Sequence, residues 1–296
     1  GGSVGSLDTQ GNILASGVTS ASVTNQGTVI GNLVARTTVA PTESSFVEAR
    51  AFDAKGALTS LTSKQVSSFV GGEATVTVGA GAVVGGQKDG VTVSGGDVTA
   101  QAQVGKATVT NAGAVRGNVS ATSSATTTTT VNSFKSETLA SPAAVRTTNS
   151  SVVTRDVAGS TASLANATTG NIAGNVFVSG DAGAALTNAG TIGRPNTGQT
   201  TTVNSRRFVD VLNQNDQIAT KAADGLSSSF DNSSKNVNRV VGGAVALENS
   251  ATGVLSGNIS LNGAGDISIV NAGAVRGTTT ATTSGATTET TNSSVG

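Results

Sequence analysis

Thr187-Asn188-Ala189-Gly190-Thr191-Ile192-Gly193 decides the fold, because the chain returns to it. The same pattern stands at Val23-Thr24-Asn25-Gln26-Gly27-Thr28-Val29-Ile30-Gly31, at Val109-Thr110-Asn111-Ala112-Gly113-Ala114-Val115-Arg116-Gly117 and at Ile269-Val270-Asn271-Ala272-Gly273-Ala274-Val275-Arg276-Gly277. A second motif precedes each copy. It reads Gly11-Asn12-Ile13-Leu14, Gly81-Ala82-Val83-Val84, Gly170-Asn171-Ile172-Ala173 and Gly253-Val254-Leu255-Ser256. Self-similarity at a fixed period marks repeat architectures. The spacing predicts about four repeats of roughly 85 residues, over residues 1–69, 70–156, 157–240 and a shortened 241–296.

Local pattern supplies the strand type. Ala74-Thr75-Val76-Thr77-Val78, Ala107-Thr108-Val109-Thr110 and Asn175-Val176-Phe177-Val178 alternate with a period of two and are rich in β-branched residues, as half-buried strands are. Turn formers such as Ser94-Gly95-Gly96-Asp97, Ser179-Gly180-Asp181 and Asn262-Gly263-Ala264-Gly265-Asp266 separate them. Helical spacing occurs only at 216–226, where Ile218, Ala219, Ala222, Ala223 and Leu226 fit one face. The fold class is all-β.

Two architectures suit many short strands: a β-solenoid of stacked coils and a tandem array of β-sandwich domains. Inside one repeat, Gly170 and Gly190 are 20 residues apart, as are Gly253 and Gly273. One solenoid coil predicts that internal echo, and a sandwich does not. Composition agrees. The chain has no Trp, Tyr, Cys, Met or His and only 7 Phe. Its core must therefore come from Val, Ile, Leu and Ala, which suits a thin solenoid better than a thick sandwich. A parallel β-helix-like solenoid is the expectation, continuous through all four repeats. In copy two, 12 extra residues around Lys88-Asp89-Gly90 separate the motifs, and segments such as 134–156 and 206–240 are longer and more polar than a plain coil.

The motifs Thr187–Gly193 and Val270–Gly277 resemble the repeats of autotransporter passenger regions and filamentous-haemagglutinin-type exoproteins. The resemblance covers roughly a third of the chain and implies a right-handed parallel β-helix at a bacterial cell surface, with an adhesive role. It implies an extracellular location and no particular target.

Charge narrows the function. Lys+Arg and Asp+Glu are 17 each, only 11% of residues being charged. No basic stripe with stacking aromatics is present, so nucleic acid is not an expected partner. No apolar run reaches the ~18 residues that a membrane helix needs. A neutral, sparsely charged surface keeps copies apart poorly. Identical subunits in a homopolymer, a surface fibre or filament, are the expected partner, with host or surface glycans the second. The opening Gly-Gly-Ser without Met reads as a piece of a longer precursor. The absence of His and Cys excludes Ser-His-Asp and Cys-His nucleophilic centres and the usual zinc sites.

Four residue groups carry the site expectations. Asn25, Asn111, Asn188 and Asn271 are read as structural turn residues, since an Asn beside Gly bonds nearby backbone groups. Asp97, Asp181 and Asp266 follow Gly in loops read as equivalent. A Ca²⁺ site there is set below solvated turn carboxylates, and no cofactor is assigned. Phe134, Phe208 and Phe230 are candidate interface residues, because aromatics are enriched at interfaces. They share with the other Phe near the repeat junctions the expectation of plugging coil ends or anchoring loops. The Thr runs 126–130 and 200–202 match each other, Thr128-Thr129-Thr130-Val131-Asn132-Ser133 against Thr200-Thr201-Thr202-Val203-Asn204-Ser205. They are read as exposed strand or linker. No residue is assigned a catalytic role. A polysaccharide-cleaving β-helix enzyme is the remote alternative, and it needs acids within about 10 Å of each other.

Overall fold

The computed structural model describes residues 2–6, 11–38, 40–88, 91–124, 127–140, 143–156, 159–194, 198–205, 208–221, 228–283 and 287–295. Among the described residues there is no helix, and so none long and apolar enough to cross a membrane. Three parallel sheets of eight, eight and seven strands account for the short elements, one small hairpin aside. One circuit of the chain adds one strand to each. Asn171–Ile172 joins the first sheet, Val176–Gly180 the second and Gly183–Asn188 the third. The next circuit lays Thr191–Ile192, Thr200–Asn204 and Ala244–Asn249 beside them in parallel. This all-β arrangement is β-solenoid-like. The pairing of Asn171 with Thr191 and of Val254 with Ala274 reproduces the 20-residue step in the sequence.

Alternation drives the packing. Val98–Ala102 and Ala107–Asn111 are buried at every second position. Parallel register stacks those positions into columns. One runs Val23, Val76, Val109, Leu164, Leu186, Leu247, and beside it runs Ala21, Ala74, Ala107, Ala162, Ala184, Val245. The first sheet contributes Val29, Val84, Val115, Ile172, Ile192 and Leu255. All of these are buried, and the core they form is aliphatic. Each Leu or Ile gains about 1.5–3 kcal/mol by burial.

The long polar segments build a second structure. After every second visit to the second sheet the chain leaves as a long antiparallel hairpin. These pair Ala40–Phe52 with Leu58–Val70, Thr127–Ala140 with Ala143–Asp156, and Phe208–Lys221 with Ser228–Val241. Thr287–Val295 joins the last of them. The hairpins also pair with one another, through Phe134 with Leu61 and Asn149 with Asn215, into one seven-stranded antiparallel sheet.

Several expectations change here. Residues 216–221 are strand, not helix, because neighbouring hairpin strands pair with 216–220 on both sides; 222–226 lie outside the described residues. Thr128–Ser133 lies in the hairpin sheet, whereas Thr200–Asn204 lies in the second parallel sheet, so their sequence match is not a structural one. The 12 extra residues form a small hairpin, Gly86–Lys88 with Val91–Ser94, of which 89 and 90 are not described. The Phe side chains that are described do not plug the coils. Phe46, Phe52 and Phe177 are 65%, 58% and 41% exposed, and Phe134 is half-buried. Phe177 takes an outward position of Val176–Gly180, whose inward positions already hold Val176 and Val178. Phe46, Phe52 and Phe134 stand in the hairpin sheet, away from the coil ends.

Candidate functional site

Asn111, Asn188 and Asn271 each end a strand of the third parallel sheet, as does Asn25. The side-chain oxygens of Asn25 and Asn111 accept from the amides of Gly27 and Gly113, at 3.0 and 3.2 Å. Both thus fix the turn that their own motif predicts. Parallel register then places the side chains one above another. Asn111 Nδ2 donates to Asn166 Oδ1, Asn166 to Asn188, Asn188 to Asn249 and Asn249 to Asn271, every bond 2.8 Å long. Asn111, Asn166, Asn188 and Asn249 are buried, and Asn271 is exposed. At the other end Val78 takes the place between Asn25 and Asn111. Asn25 Nδ2 instead reaches the Val83 carbonyl, at 3.3 Å.

Asn166 and Asn249 escaped the sequence reading. Their signal was present: each precedes a motif glycine by four residues, Asn166 before Gly170 and Asn249 before Gly253, rather than by two. The motif glycines have their own reason. A Cβ on Gly190 would run into the carbonyl of Gly170, and one on Gly113 into that of Ala82. Those two oxygens accept from Thr191 and Ala114 across neighbouring circuits, at 2.9 and 2.8 Å. Close approach of backbone to backbone therefore fixes the residue type.

A second polar ladder lines the corner before the second sheet. Asn12 Oδ1 accepts from Asn32 N, Asn32 Oδ1 from Asp97 N, Asp97 Oδ1 from Asn118 N, Asn118 Oδ1 from Asn175 N and Asn175 Oδ1 from Thr200 N, at 2.7–3.0 Å. Asp97 is thereby a ladder member. Asp181 is buried at the corner between the second and third sheets, and Asp266 is exposed at the start of Ile267–Asn271. Asp181 and Asp266 thus share the corner between the second and third sheets, as the sequence suggests, and Asp97 alone stands at a different one. Among the described residues no group of three or more acids is placed to hold a metal ion. Asp210 and Asp216, the closest pair in the 206–240 segment, stand six positions apart on one strand, about 20 Å at the usual strand rise.

The hairpin sheet holds a further candidate surface. None of its described side chains belongs to the buried core. A hollow of about 300 Å³ lies on it, spanning four strands. Register sets two rows across the floor: Leu61, Phe134, Asn149, Asn215 and, beside it, Ser63, Asn132, Ser151, Asn213. Leu61 and Phe134 are half-buried, while the four Asn are exposed. No lining residue is ionisable. Beneath the hollow Ser133 and Ser150 face each other with their hydroxyls 2.5 Å apart. The backbones of Phe208 and Phe230 lie in the third hairpin, Phe230 opposite Ala219, and their side chains fall outside the described ones. Of the three expected interface residues, the structure brings Phe134 into a concave surface. A second hollow of about 400 Å³ lies against the first parallel sheet between Arg116 and Arg194.

No protein family, curated protein or solved structure matches the chain.

Proposed function

We propose that the chain is an extracellular structural repeat protein, a β-solenoid of about four 85-residue repeats, that assembles with copies of itself into a surface fibre or filament and has an adhesive role. The observation that carries this reading is the edge of the hairpin sheet. Ala40–Phe52 is an edge strand of thirteen residues. It bears Phe46, Val47 and Phe52, each more than half exposed. Long edge strands with apolar side chains template pairing with another chain; Pro41, the register shift after it and the Glu48–Arg50 pair blunt parts of this one, and Phe46 and Val47 lie between them. A net charge of zero adds no repulsion against such pairing. The expected repeat boundaries at 70, 157 and 241 support the repeat reading, since a hairpin's second strand ends at Val70, Asp156 or Val241.

Electron microscopy of the purified chain tests the proposal. Regular filaments are expected, and the double substitution Phe46→Lys, Val47→Lys should abolish them without changing the circular dichroism of the chain. A wild-type chain that sediments as a monomer at every concentration overturns the assembly reading. In that case the second reading, a monomeric adhesin passenger binding surface glycans, stands on the uncharged hollow beside that edge.

A further inference from the structure

The geometry points to the hollow around Phe134 as a binding site for a neutral oligosaccharide, laid across the hairpins along the two rows of its floor. This names the ligand class behind the adhesive role proposed above and rests on that part of the reading. Asn132, Asn149, Asn213 and Asn215 put four carboxamides into one concave surface. A carboxamide donates and accepts at once, as a sugar hydroxyl does. Ser151 adds a hydroxyl between Asn132 and Asn213, and Ser63 another at the end of that row. Leu61 and Phe134 are register partners, and they place a half-buried apolar patch at one end of the amide row. Beyond that patch the lining is polar and uncharged. A pyranose ring presents that same pair of surfaces, a C–H face and a rim of hydroxyls.

Other ligand classes fit worse. An anionic ligand needs cations, and the lining has none. The charged residues in register with these rows, Arg50 opposite Leu61 and Glu48 opposite Ser63, pair with each other at 2.5 Å. A peptide adding as a strand needs free backbone groups, but these four strands have strand partners on both sides. What the face offers is side-chain amide. The rows continue by register to Asn236 and Thr290, and to Ser234 and Asn292, none of them ionisable. Strands lie ~4.8 Å apart, so the four-strand floor runs about 14 Å. That length takes a short oligosaccharide rather than a single sugar.

The test uses the full chain, titrated by calorimetry against neutral trisaccharides of glucose and of N-acetylglucosamine, with a sialylated and a sulfated trisaccharide alongside. A neutral trisaccharide should bind, and the anionic ones at least tenfold more weakly. Phe134→Ala should weaken binding about tenfold or more. Asn213→Asp keeps the shape and adds a charge, and it should do the same. Lys64→Ala, on the other face by register, should change affinity less than twofold. If Phe134→Ala fails to fold, Asn213→Asp decides alone. The proposal falls if no neutral trisaccharide binds, if an anionic one binds as well, or if Asn213→Asp leaves affinity unchanged. Microscopy of the same samples separates the two readings: filaments without glycan binding sink only the site, and glycan binding without filaments sinks only the assembly.

Discussion

The parallel sheets and the hairpin sheet are built from similar residues and held by opposite means. In the parallel sheets strands are two to six residues long, and the longer ones inside the stack bury every second residue, which those of the terminal circuits, such as Thr279–Thr283, do not. Most Thr, Ser and Asn there face outward or stack in ladders, and a few, Thr37, Ser123 and Thr201 among them, are buried. In the hairpin sheet most strands are thirteen or fourteen residues long. None of its described side chains contributes to the core. What holds that sheet is backbone pairing over a long register, such as the fourteen pairs from Thr127–Asp156 to Ala140–Ala143, together with cross-strand contacts of about 0.2–1 kcal/mol each. The difference teaches where substitution is tolerated. A stacked coil has one solution for each inward position, while a two-faced sheet accepts many side chains and is free to carry a ligand surface.

The largest effect should come from the buried ladder. Asn188→Ala removes two 2.8 Å bonds and a 3.3 Å bond to the Val254 carbonyl; it leaves an orphaned acceptor on Asn249 and reduces Asn166 Nδ2 to its 3.3 Å contacts with the Gly170 and Thr191 carbonyls. At about 1–3 kcal/mol for the buried unsatisfied acceptor, and as much again for the two other bonds lost, the loss should be about 2–6 kcal/mol by denaturant unfolding. A loss below about 1 kcal/mol would mean that the ladder adds little to the stack. Next comes the aliphatic column. Leu186→Ala, at a fully buried site, should cost about 2–5 kcal/mol in the same assay.

A smaller effect of opposite sign is expected at Val104. This β-branched residue has φ +56° at the turn between Val98–Ala102 and Ala107–Asn111. Left-handed backbone costs such a residue about 1–2 kcal/mol, and Asn tolerates it better. Val104→Asn should therefore raise the thermal midpoint, and a lowered midpoint would show that Val104 packs more than it strains. The smallest effect sharpens the contrast between the regions. Asn132→Ala, an exposed amide in the hairpin sheet, should shift stability by no more than about 0.5 kcal/mol. Set against Asn188→Ala, it separates an Asn that holds the fold from an Asn that faces outward.

Much of the solenoid part was legible because its determinants are local. Period-two alternation marks buried strands, and Asn-Ala-Gly marks a turn against which the next circuit closes. The 20-residue echo gives the length of one circuit. The asparagine ladder was only half visible, since Asn166 and Asn249 carry their glycine at a different spacing from Asn111, Asn188 and Asn271.

The hairpins were less legible. Their strands carry polar residues at both parities, so no apolar stripe announces them. The weak helical spacing at 216–226 arose from that lack of pattern, and strand pairing on both sides overrode it. The hollow around Phe134 could not be read from sequence, because Leu61, Phe134, Asn149 and Asn215 come from three different hairpins.

By itself the sequence determined the all-β class, the strand type, the circuit length and the aliphatic nature of the core, all of which follow from short-range alternation and turn chemistry. Only the tertiary structure decided that the hairpins pair side by side, that five asparagines bond in one line and that four amides share one hollow. Those arrangements depend on register between segments far apart in the chain. Register is weakly specified where neither face of a strand is buried.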